Sequence, residues 1–421
     1  MPASAEKLAL RIIQRLQSAG HVAYFAGGCV RDRVMGRTPK DFDVATSARP
    51  EQVLALFPRG QQVGAAFGVI LVVERAPTPG DPRLQVEVAT FRADGTYSDG
   101  RHPDSVQFTT AQEDARRRDF TCNGLFLDPL ADAASPFGGQ IHDFVGGLAD
   151  IEARTLRAIG DPAARFGEDH LRMLRAVRFA ARLEFTIEHQ TRAAIVGHAA
   201  RIKEISRERI GEELRMILAH PSRALAVALL ADLGLLPQIW PLPLALPGSP
   251  ARLNQLPPAT NRAIGLAALA LDYARNAPVT EDADRLQLAF ALANEERDEI
   301  AWLWEKLPIL RDERQWGRAT LKRLLAEPRW PDLQALFEAE SGEGTPSQLI
   351  GRLASWAEEL RAEGLVPAQW VTGETLIRLG AQPGPNFKRW LEQLYDRQLE
   401  GQFRTAEEAV EAARALIQGS K

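Results

Sequence analysis

Two aspartates separated by one residue, Asp41 and Asp43, stand at the end of the segment GGCVRDRVMGRTPKDFD, residues 27–43. Alternate residues of a β-strand point to the same face, so an Asp-x-Asp pair in a strand presents two neighbouring carboxylates. Mg²⁺ prefers such oxygen ligands, and two ions about 3.5–4 Å apart can stabilise the attacking and leaving oxygens of a phosphoryl transfer. The spacing is compatible with a magnesium site, although an isolated Asp-x-Asp pair is more often a solvent-facing strand edge.

The same segment begins with Gly27 and Gly28, between a predicted strand and a predicted helix. Glycine lets another group approach the backbone closely, and the first N–H groups of a helix attract anions. Arg31 adds a guanidinium that can bind the same anion through two hydrogen bonds. We expect Asp32 to orient Arg31 or to cap the helix rather than to bind a metal. Together these residues predict a triphosphate beside the metal site.

Two downstream segments carry further charged residues. In RRRDFTCNGLF, residues 116–126, Arg118 and Asp119 end a basic cluster that can hold phosphates or can be a solvated surface. In RFGEDHLRMLRAVRFAARLEF, residues 165–185, four charged residues follow at three-residue steps: Asp169, Arg172, Arg175 and Arg178. Such steps drift by about 60° each on a helix of 3.6 residues per turn, so only neighbours in the series can touch. An exposed, ion-paired helix is the alternative interpretation.

Short strands and helices must position these residues. Helical periodicity covers residues 4–19, and the stretches 21–28 and 41–46 are typical of short buried strands. A further β-branched stretch, LQVEVATFR, carries Glu87. From Ile151 onward the pattern is helical almost throughout, interrupted by a proline-rich connector at 237–258. The pattern predicts an α+β chain with a mixed-sheet head at 1–150, a helical neck at 151–236, and a helical body and tail at 237–421.

Composition limits the kind of protein this chain can be. Of its 421 residues, 45% are hydrophobic and 25% are charged, as in ordinary globular proteins. The net charge of −4 argues against nonspecific coating of nucleic acid, so RNA binding would need a local patch such as residues 201–215. We find no apolar run long enough for a membrane span and no signal peptide, and the two cysteines form no metal pattern. We therefore expect a cytoplasmic protein without membrane contact.

Four motifs, in this order, resemble the class II tRNA nucleotidyltransferase family, which contains CCA-adding enzymes and bacterial poly(A) polymerases. The segment at 27–43 is similar to the first motif of that family, and RRDFTCN is similar to the second. EDHLRMLRAVRF is similar to its nucleotide-recognition motif, and ISRERIGEEL, residues 205–214, to its final head-neck motif. The resemblance covers about residues 20–220 and is highly specific because of the motif order.

The resemblance implies a polymerase β-like nucleotidyltransferase head that uses Mg²⁺, ATP and CTP to extend the 3′ end of tRNA, with no DNA partner expected. It implies Mg²⁺ ligands at Asp41 and Asp43, with Glu87 as the candidate third catalytic carboxylate. Arg118 is assigned to the triphosphate, and Asp169 with Arg172 to a base-reading pair. The other implied nucleotide-binding residues are Gly27, Gly28, Arg31, Asp119, Arg175 and Arg178.

Hydrogen-bond chemistry supports the base-reading assignment. Cytosine and adenine both offer an amino donor beside a ring-nitrogen acceptor, which a carboxylate and a guanidinium can match. Guanine and uracil reverse that order. Side chains such as Asp169 and Arg172 can thus select C and A without a nucleic-acid template.

The member of the family is left open by the sequence. Bacterial poly(A) polymerases of this family typically carry a basic pair where this chain has Ala65 and Ala66, which favours the CCA-adding type. CC-adding relatives tend to lack a loop like that at 90–103, so complete CCA addition and A-addition both remain. A non-catalytic RNA-binding protein would be expected to lose the carboxylates. A transferase for small molecules such as antibiotics would not need the large helical body.

Overall fold

The computed structural model describes residues 2–63, 68–74, 83–95, 105–132, 134–245, 248–342 and 347–418. The chain forms two compact units. The first comprises Met1–Ile217 and Leu225–Trp240, and the second comprises Leu218–Ala224 and Pro241–Lys421. The predicted division of the first unit into a head and a neck at residue 150 stays a prediction. Ala65, Ala66 and the greater part of the loop at 90–103 lie outside the described residues.

A mixed sheet forms the centre of the head, as the sequence predicts. Its seven strands run in the order β3-β4-β5-β2-β1-β8-β9, and only β2 and β5 pair in parallel. Two-stranded sheets join β6 to β7 and β10 to β11. The strands are β1 Ala23–Ala26, β2 Asp43–Thr46, β3 Gln61–Gln62, β4 Val69–Glu74, β5 Leu84–Thr90, β6 Arg92–Asp94, β7 Val106–Phe108, β8 Leu125–Asp128, β9 Gln140–Asp143, β10 Thr155–Leu156 and β11 Thr186–Ile187.

Helices surround the sheet and make up nearly all of the chain after it. Those of the first unit are α1 Pro2–Ser18, α2 Gly28–Val34, α3 Pro50–Leu56, α4 Ala111–Arg117, α5 Gly147–Glu152, α6 Pro162–Glu168, α7 Leu171–Leu183, α8 His189–His198, α9 Arg207–Leu218, α10 Arg223–Asp232 and α11 Leu236–Ile239. Helix α9 ends in the second unit, and α10 begins there. Those of the second unit are α12 Ala251–Gln255, α13 Arg262–Tyr273, α14 Thr280–Phe290, α15 Asn294–Arg311, α16 Arg318–Ala326, α17 Trp330–Glu338, α18 Ser347–Glu363, α19 Gly373–Arg378, α20 Pro385–Leu399 and α21 Ala406–Gln418. None of the helices that the structure describes is long and apolar enough to cross a membrane.

The two faces of the sheet carry different residues: one packs against α1, and the other carries Asp43 and Glu87. Helix α1 packs on one face through the buried stripe Leu8, Ile12, Ile13 and Leu16. Side chains alternate along each strand, and the parallel register opposes Val44 to Val88. The preceding residues, Asp43 and Glu87, therefore share the face away from α1.

The strand that carries the aspartates is shorter than the sequence predicts. β2 begins at Asp43, whose partner Ala26 is the last residue of β1 before the Gly27 turn. Asp41 therefore has no strand residue opposite it. The alternation of exposure nevertheless continues, because Asp41 and Asp43 are exposed while Phe42 and Val44 are buried. The two carboxylates keep the shared face although only one belongs to the strand.

The proline-rich stretch is partly ordered into helix, since α11 and α12 both lie within or beside it. A fully buried arginine of the second unit, Arg223, holds the carbonyl groups at the end of this stretch. Its guanidinium donates to the oxygens of Leu218, Leu256, Pro257 and Pro258 at 2.8–3.1 Å. The end of the stretch is thus a fixed part of the second unit rather than a simple connector.

Candidate active site

The three predicted carboxylates influence one another electrostatically. Asp43 is exposed, yet the protein atoms around it remove enough hydration to raise its pKa to about 6, and the charges of Glu87 and Asp41 add to the rise. Arg118 opposes this rise. The negative charge of these carboxylates exceeds what Arg118 neutralises, and such an excess favours the binding of a cation.

The carboxylates of the site form an open arrangement of possible metal ligands. Among the residues that the structure describes, no group of three or more His, Cys, Asp or Glu side chains converges to hold a metal ion. Mg²⁺ in phosphoryl-transfer sites is commonly held by one or two carboxylates, with substrate phosphates and water completing its shell. Asp41 and Asp43 fit that pattern and do not fit a closed, all-protein metal cage.

The glycine turn makes room for Arg118. Gly27 has φ 72°, and a Cβ atom there would lie 2.9 Å from Nη1 of Arg118. Nε and Nη2 of Arg118 donate to Oδ2 of Asp114 at 3.2 and 3.1 Å, and Nη1 donates to the oxygen of Asn123 at 3.4 Å. The guanidinium also lies over the Phe126 ring, 4.9 Å from its centre. The structure thus brings Arg118 to the turn and to Asp43.

Asp114 positions two arginines and was not predicted. It is buried, and although burial opposes ionisation, the charges of Arg118 and Arg117 lower its pKa. Its second oxygen accepts from Nε of Arg117 at 2.8 Å. The spacing of one aspartate to arginines three and four residues later on a helix was visible in the sequence.

Arg31 is buried and fixed by residues of two motifs. Its Nε and Nη2 donate to Oδ1 of Asp32 at 2.9 and 2.7 Å, so Asp32 orients Arg31, one of the two roles we expected. Its Nη1 donates to Oδ1 of Asn123 at 2.6 Å. Asn123 belongs to the second motif and therefore connects it to the first.

Asp169 and Arg172 lie at the start of α7, but they are not bonded to each other. Oδ2 of Asp169 accepts from Nη2 of Arg209 at 2.7 Å, and its Oδ1 accepts from the N–H of Leu171 at 3.0 Å. Nη1 of Arg172 donates to Oε2 of Glu168 at 2.5 Å. Each member of the predicted pair is thus held by a different neighbour.

Arg175 and Arg178 have protein partners instead of standing free. Nε and Nη2 of Arg175 donate to Oδ2 of Asp119 at 3.0 and 2.7 Å. Arg178, which is buried, donates from Nε to Oε2 of buried Glu213 at 2.7 Å. Both guanidinium groups lie over the ring of Phe179, as does that of Arg31, at 4.5–5.5 Å from its centre.

Asp119 joins the second motif to α7. Burial acts to raise its pKa, but the charge and hydrogen bonds of Arg175, together with Asn123 and the N–H of Phe120, lower it to about 2. In this structure Asp119, Arg175 and Arg178 make internal contacts that position the site. Their predicted contacts with a nucleotide stay predictions.

Sequence reasoning missed Arg209 and Glu213 although the motif that contains them was recognised. They stand four residues apart, so they occupy the same side of α9. Arg209 reaches Asp169, while Glu213 reaches Arg178. Helix α9 therefore supports both α7 and Asp169, which lies just before it.

The basic strip at 201–215 is less positive than its arginines suggest. Arg201 pairs with Glu204 and Arg215 pairs with Glu212 on the exposed surface. Arg209 is occupied by Asp169. Lys203 and Arg207 are exposed, and binding of RNA by this segment stays a prediction.

The chain is similar in sequence to known protein families and to individual enzymes. Residues 23–157 match the family described as Poly A polymerase head domain, and residues 184–245 match the family described as probable RNA and SrmB- binding site of polymerase A. A CCA-adding enzyme of Geobacillus thermodenitrificans is 43% identical over 228 residues, which are 54% of this chain and 53% of that protein. One from Geobacillus stearothermophilus is 42% identical over 228 residues, with the same coverage. The chain thus matches about half the length of these curated relatives.

Solved structures resemble nearly the whole chain. The crystal structure of the Bacillus stearothermophilus CCA-adding enzyme in complex with CTP has a TM-score of 0.76 and 29% identity, covering 99% of both chains. The Thermotoga maritima CCA-adding enzyme complexed with tRNA(CCA) has a TM-score of 0.68 at 20% identity, covering 97% of this chain and 94% of that one, and it shows the fold alone. The predicted resemblance and the predicted fold, a mixed-sheet head followed by helices, are both confirmed.

The Arg178–Glu213 pair provides a test of the support for α7. Glu213→Gln should lower the free energy of unfolding by about 3–5 kcal/mol, because it leaves a buried guanidinium without its counter-charge. Chemical denaturation measures the loss. Glu212→Gln, its exposed neighbour, is the matched control and should change stability by less than about 1 kcal/mol. Equal effects of the two substitutions would contradict the assigned role of the pair.

The raised pKa of Asp43 predicts a pH-dependent change of stability. Between the ordinary value of 3.8 and about 6 the folded protein binds more protons at this group than the unfolded chain, so ionisation destabilises the fold as the pH rises. Without divalent cations, Asp43→Asn should therefore raise the melting temperature at pH 8, less at pH 5, and not at all below about pH 4. Glu152→Gln, at an exposed position, serves as the control. A constant difference between Asp43→Asn and wild type from pH 4 to 8 would show the inference to be wrong.

Proposed function

We propose that the chain is a template-independent nucleotidyltransferase that adds C and A from CTP and ATP to the 3′ end of tRNA and releases pyrophosphate. The observation that carries the proposal is the arrangement of Asp43, Glu87 and Arg118 around the Gly27 turn. The similarity of the chain to CCA-adding enzymes, one of them solved with CTP, supports this assignment. Because tRNA is its substrate, we place the protein in the cytoplasm.

The residues near the Gly27 turn are assigned to the metal and the triphosphate. Asp41 and Asp43 would hold Mg²⁺, and the bound ion would supply stabilisation of the charge that develops on the transferring phosphoryl group. Glu87 adds negative charge beside Asp43. Arg118 lies at the turn and is assigned to the triphosphate, whose oxygens a guanidinium fork can bind.

Base selection is assigned to the start of α7. A carboxylate at Asp169 can accept the amino hydrogen of C or A, and Arg172 can donate to the adjacent ring nitrogen. The bonds to Arg209 and Glu168 fix both side chains before a base arrives. Fixed donors and acceptors need no reorganisation on binding, so protein side chains can replace a template.

The other candidates differ in the primer they extend. A-adding, CC-adding and poly(A)-adding enzymes share the same carboxylates, while a non-catalytic RNA-binding protein would transfer nothing. Purified protein with Mg²⁺, radiolabelled CTP or ATP, and tRNAs ending before, within and after CC separates them. Sequential addition of C, C and A to the shortest primer supports the proposal. Extension by A alone, by C alone, or by a long A tract assigns one of the others.

The metal assignment predicts the effect of removing either aspartate. Asp41→Ala and Asp43→Ala should each reduce nucleotide transfer by more than about a hundredfold while the protein stays folded, because each is an exposed ligand outside the core. Mg²⁺ should raise the melting temperature of wild type, and less so that of either variant. Glu152→Ala, at an exposed position, is the control. Asp32→Ala is unsuitable as a control because the carboxylate of Asp32 holds Arg31. Activity within tenfold of wild type in both aspartate variants would exclude the metal role.

The recognition assignment predicts a change in base choice. Arg172→Ala should increase incorporation of G or U by about ten- to a hundredfold, since a good bidentate contact contributes about 1–3 kcal/mol of discrimination. Competition among all four nucleotides on a tRNA primer measures this directly. Asp169→Ala should act in the same direction, and the double variant should lose less than the sum. If both single variants keep the selectivity of wild type, α7 is a structural helix only.

A further inference from the structure

A cavity of about 920 Å³ lies in the first unit, between α1, the end of α3 and the strands β3 and β4. Its inner wall is apolar, formed by the buried side chains of Leu8, Ile12 and Val72. Half-buried Leu56 and Phe57 line it further out. Ligand pockets typically measure about 300–1,000 Å³, so the cavity is large enough for a small organic molecule.

The cavity and the candidate active site are on opposite faces of the sheet. Val72 lines the cavity and is paired with Val86 in the antiparallel register, so both residues point toward α1. Glu87 follows Val86 and points the other way, as does Asp43. A ligand in the cavity would not touch the carboxylates.

The rim of the cavity is strongly basic. Four arginines and one glutamate line it, namely Arg11, Arg15, Arg59, Arg83 and Glu74, in a chain whose overall charge is −4. Arg11 is bonded to Glu74. Arg59 and Arg83 are exposed, and no side chain among the described residues pairs with them.

Arg15 adds a flat surface to this charge. Its guanidinium lies over the Phe57 ring, 5.2 Å from the centre, and the residue is exposed. A guanidinium plane held in this way can stack on a nucleobase. The arrangement therefore combines an apolar wall, a stacking plane and free phosphate-binding groups.

We propose that this cavity binds a free nucleotide, with its phosphate at Arg59 and Arg83 and its base against Arg15 and the apolar wall. Arginine is the side chain best suited to phosphate because its planar donors match two oxygens at once. The site is separate from the one that transfers nucleotides, and its occupation does not depend on the proposed activity.

Calorimetric titration with GMP, without CTP or divalent cations, tests the proposal, because the proposed base-reading pair is expected to reject guanine. We expect one molecule of GMP to bind per chain. Arg59→Glu with Arg83→Glu should weaken binding at least about tenfold, since both charges proposed to bind the phosphate are reversed. Arg361→Glu with Arg389→Glu, at two exposed positions of the second unit, is the control of equal charge change and should bind as wild type does.

Leu56→Trp narrows the cavity without changing its charge, so it should also weaken GMP binding. Three results would overturn the proposal: no binding of GMP by wild type at millimolar concentration, equal binding by the cavity and control double variants, or binding that is unchanged in the Leu56→Trp variant. Binding of a 5′-phosphorylated oligonucleotide without binding of GMP would overturn it as well, because it would assign the surface to RNA.

Discussion

Two ion pairs that hold α7, one buried and one half-buried, are the interactions on which the rest of the site depends. Asp119 binds Arg175 from the head, and Glu213 binds Arg178 from α9. Charges of this kind are costly to bury unless every one is paired, so the geometry of three motifs is fixed together. Loss of one partner would disturb residues that are distant in sequence, because Phe179 lies beneath both arginines. The positions of the residues proposed to read a base thus depend on neighbours that never need to touch it.

Local spacing was a good guide wherever the chemistry lies within one element. The Asp41–Asp43 pair, the glycine turn and the role of Asp32 were all predictable, because strand alternation and helix geometry apply over a few residues. The mixed sheet and the helical remainder followed from periodicity in the same way. The exact start of β2 did not, since it depends on where its partner β1 ends.

The sequence could not reveal which charges are paired across the fold. Asp169 meets Arg209 across forty positions, and Arg31 meets Asn123 across an even longer separation. A row of arginines at three-residue steps looks the same whether it faces a nucleotide or a set of carboxylates. Burial decides between these, and burial is a property of the packed tertiary structure. The cavity on the α1 face was equally hidden, because its walls come from separate elements.

The parallel pairing of β2 with β5 determines when the carboxylates come together during folding. Asp43 and Glu87 become neighbours only through this pair, which closes a long loop containing α3, β3 and β4. Contacts of high sequence separation form late in folding because the entropy of loop closure must be met first. The local β4–β5 hairpin can form earlier and carries Glu87 without Asp43. The two carboxylates therefore become neighbours only when the sheet is assembled, and a partly folded chain lacks this arrangement.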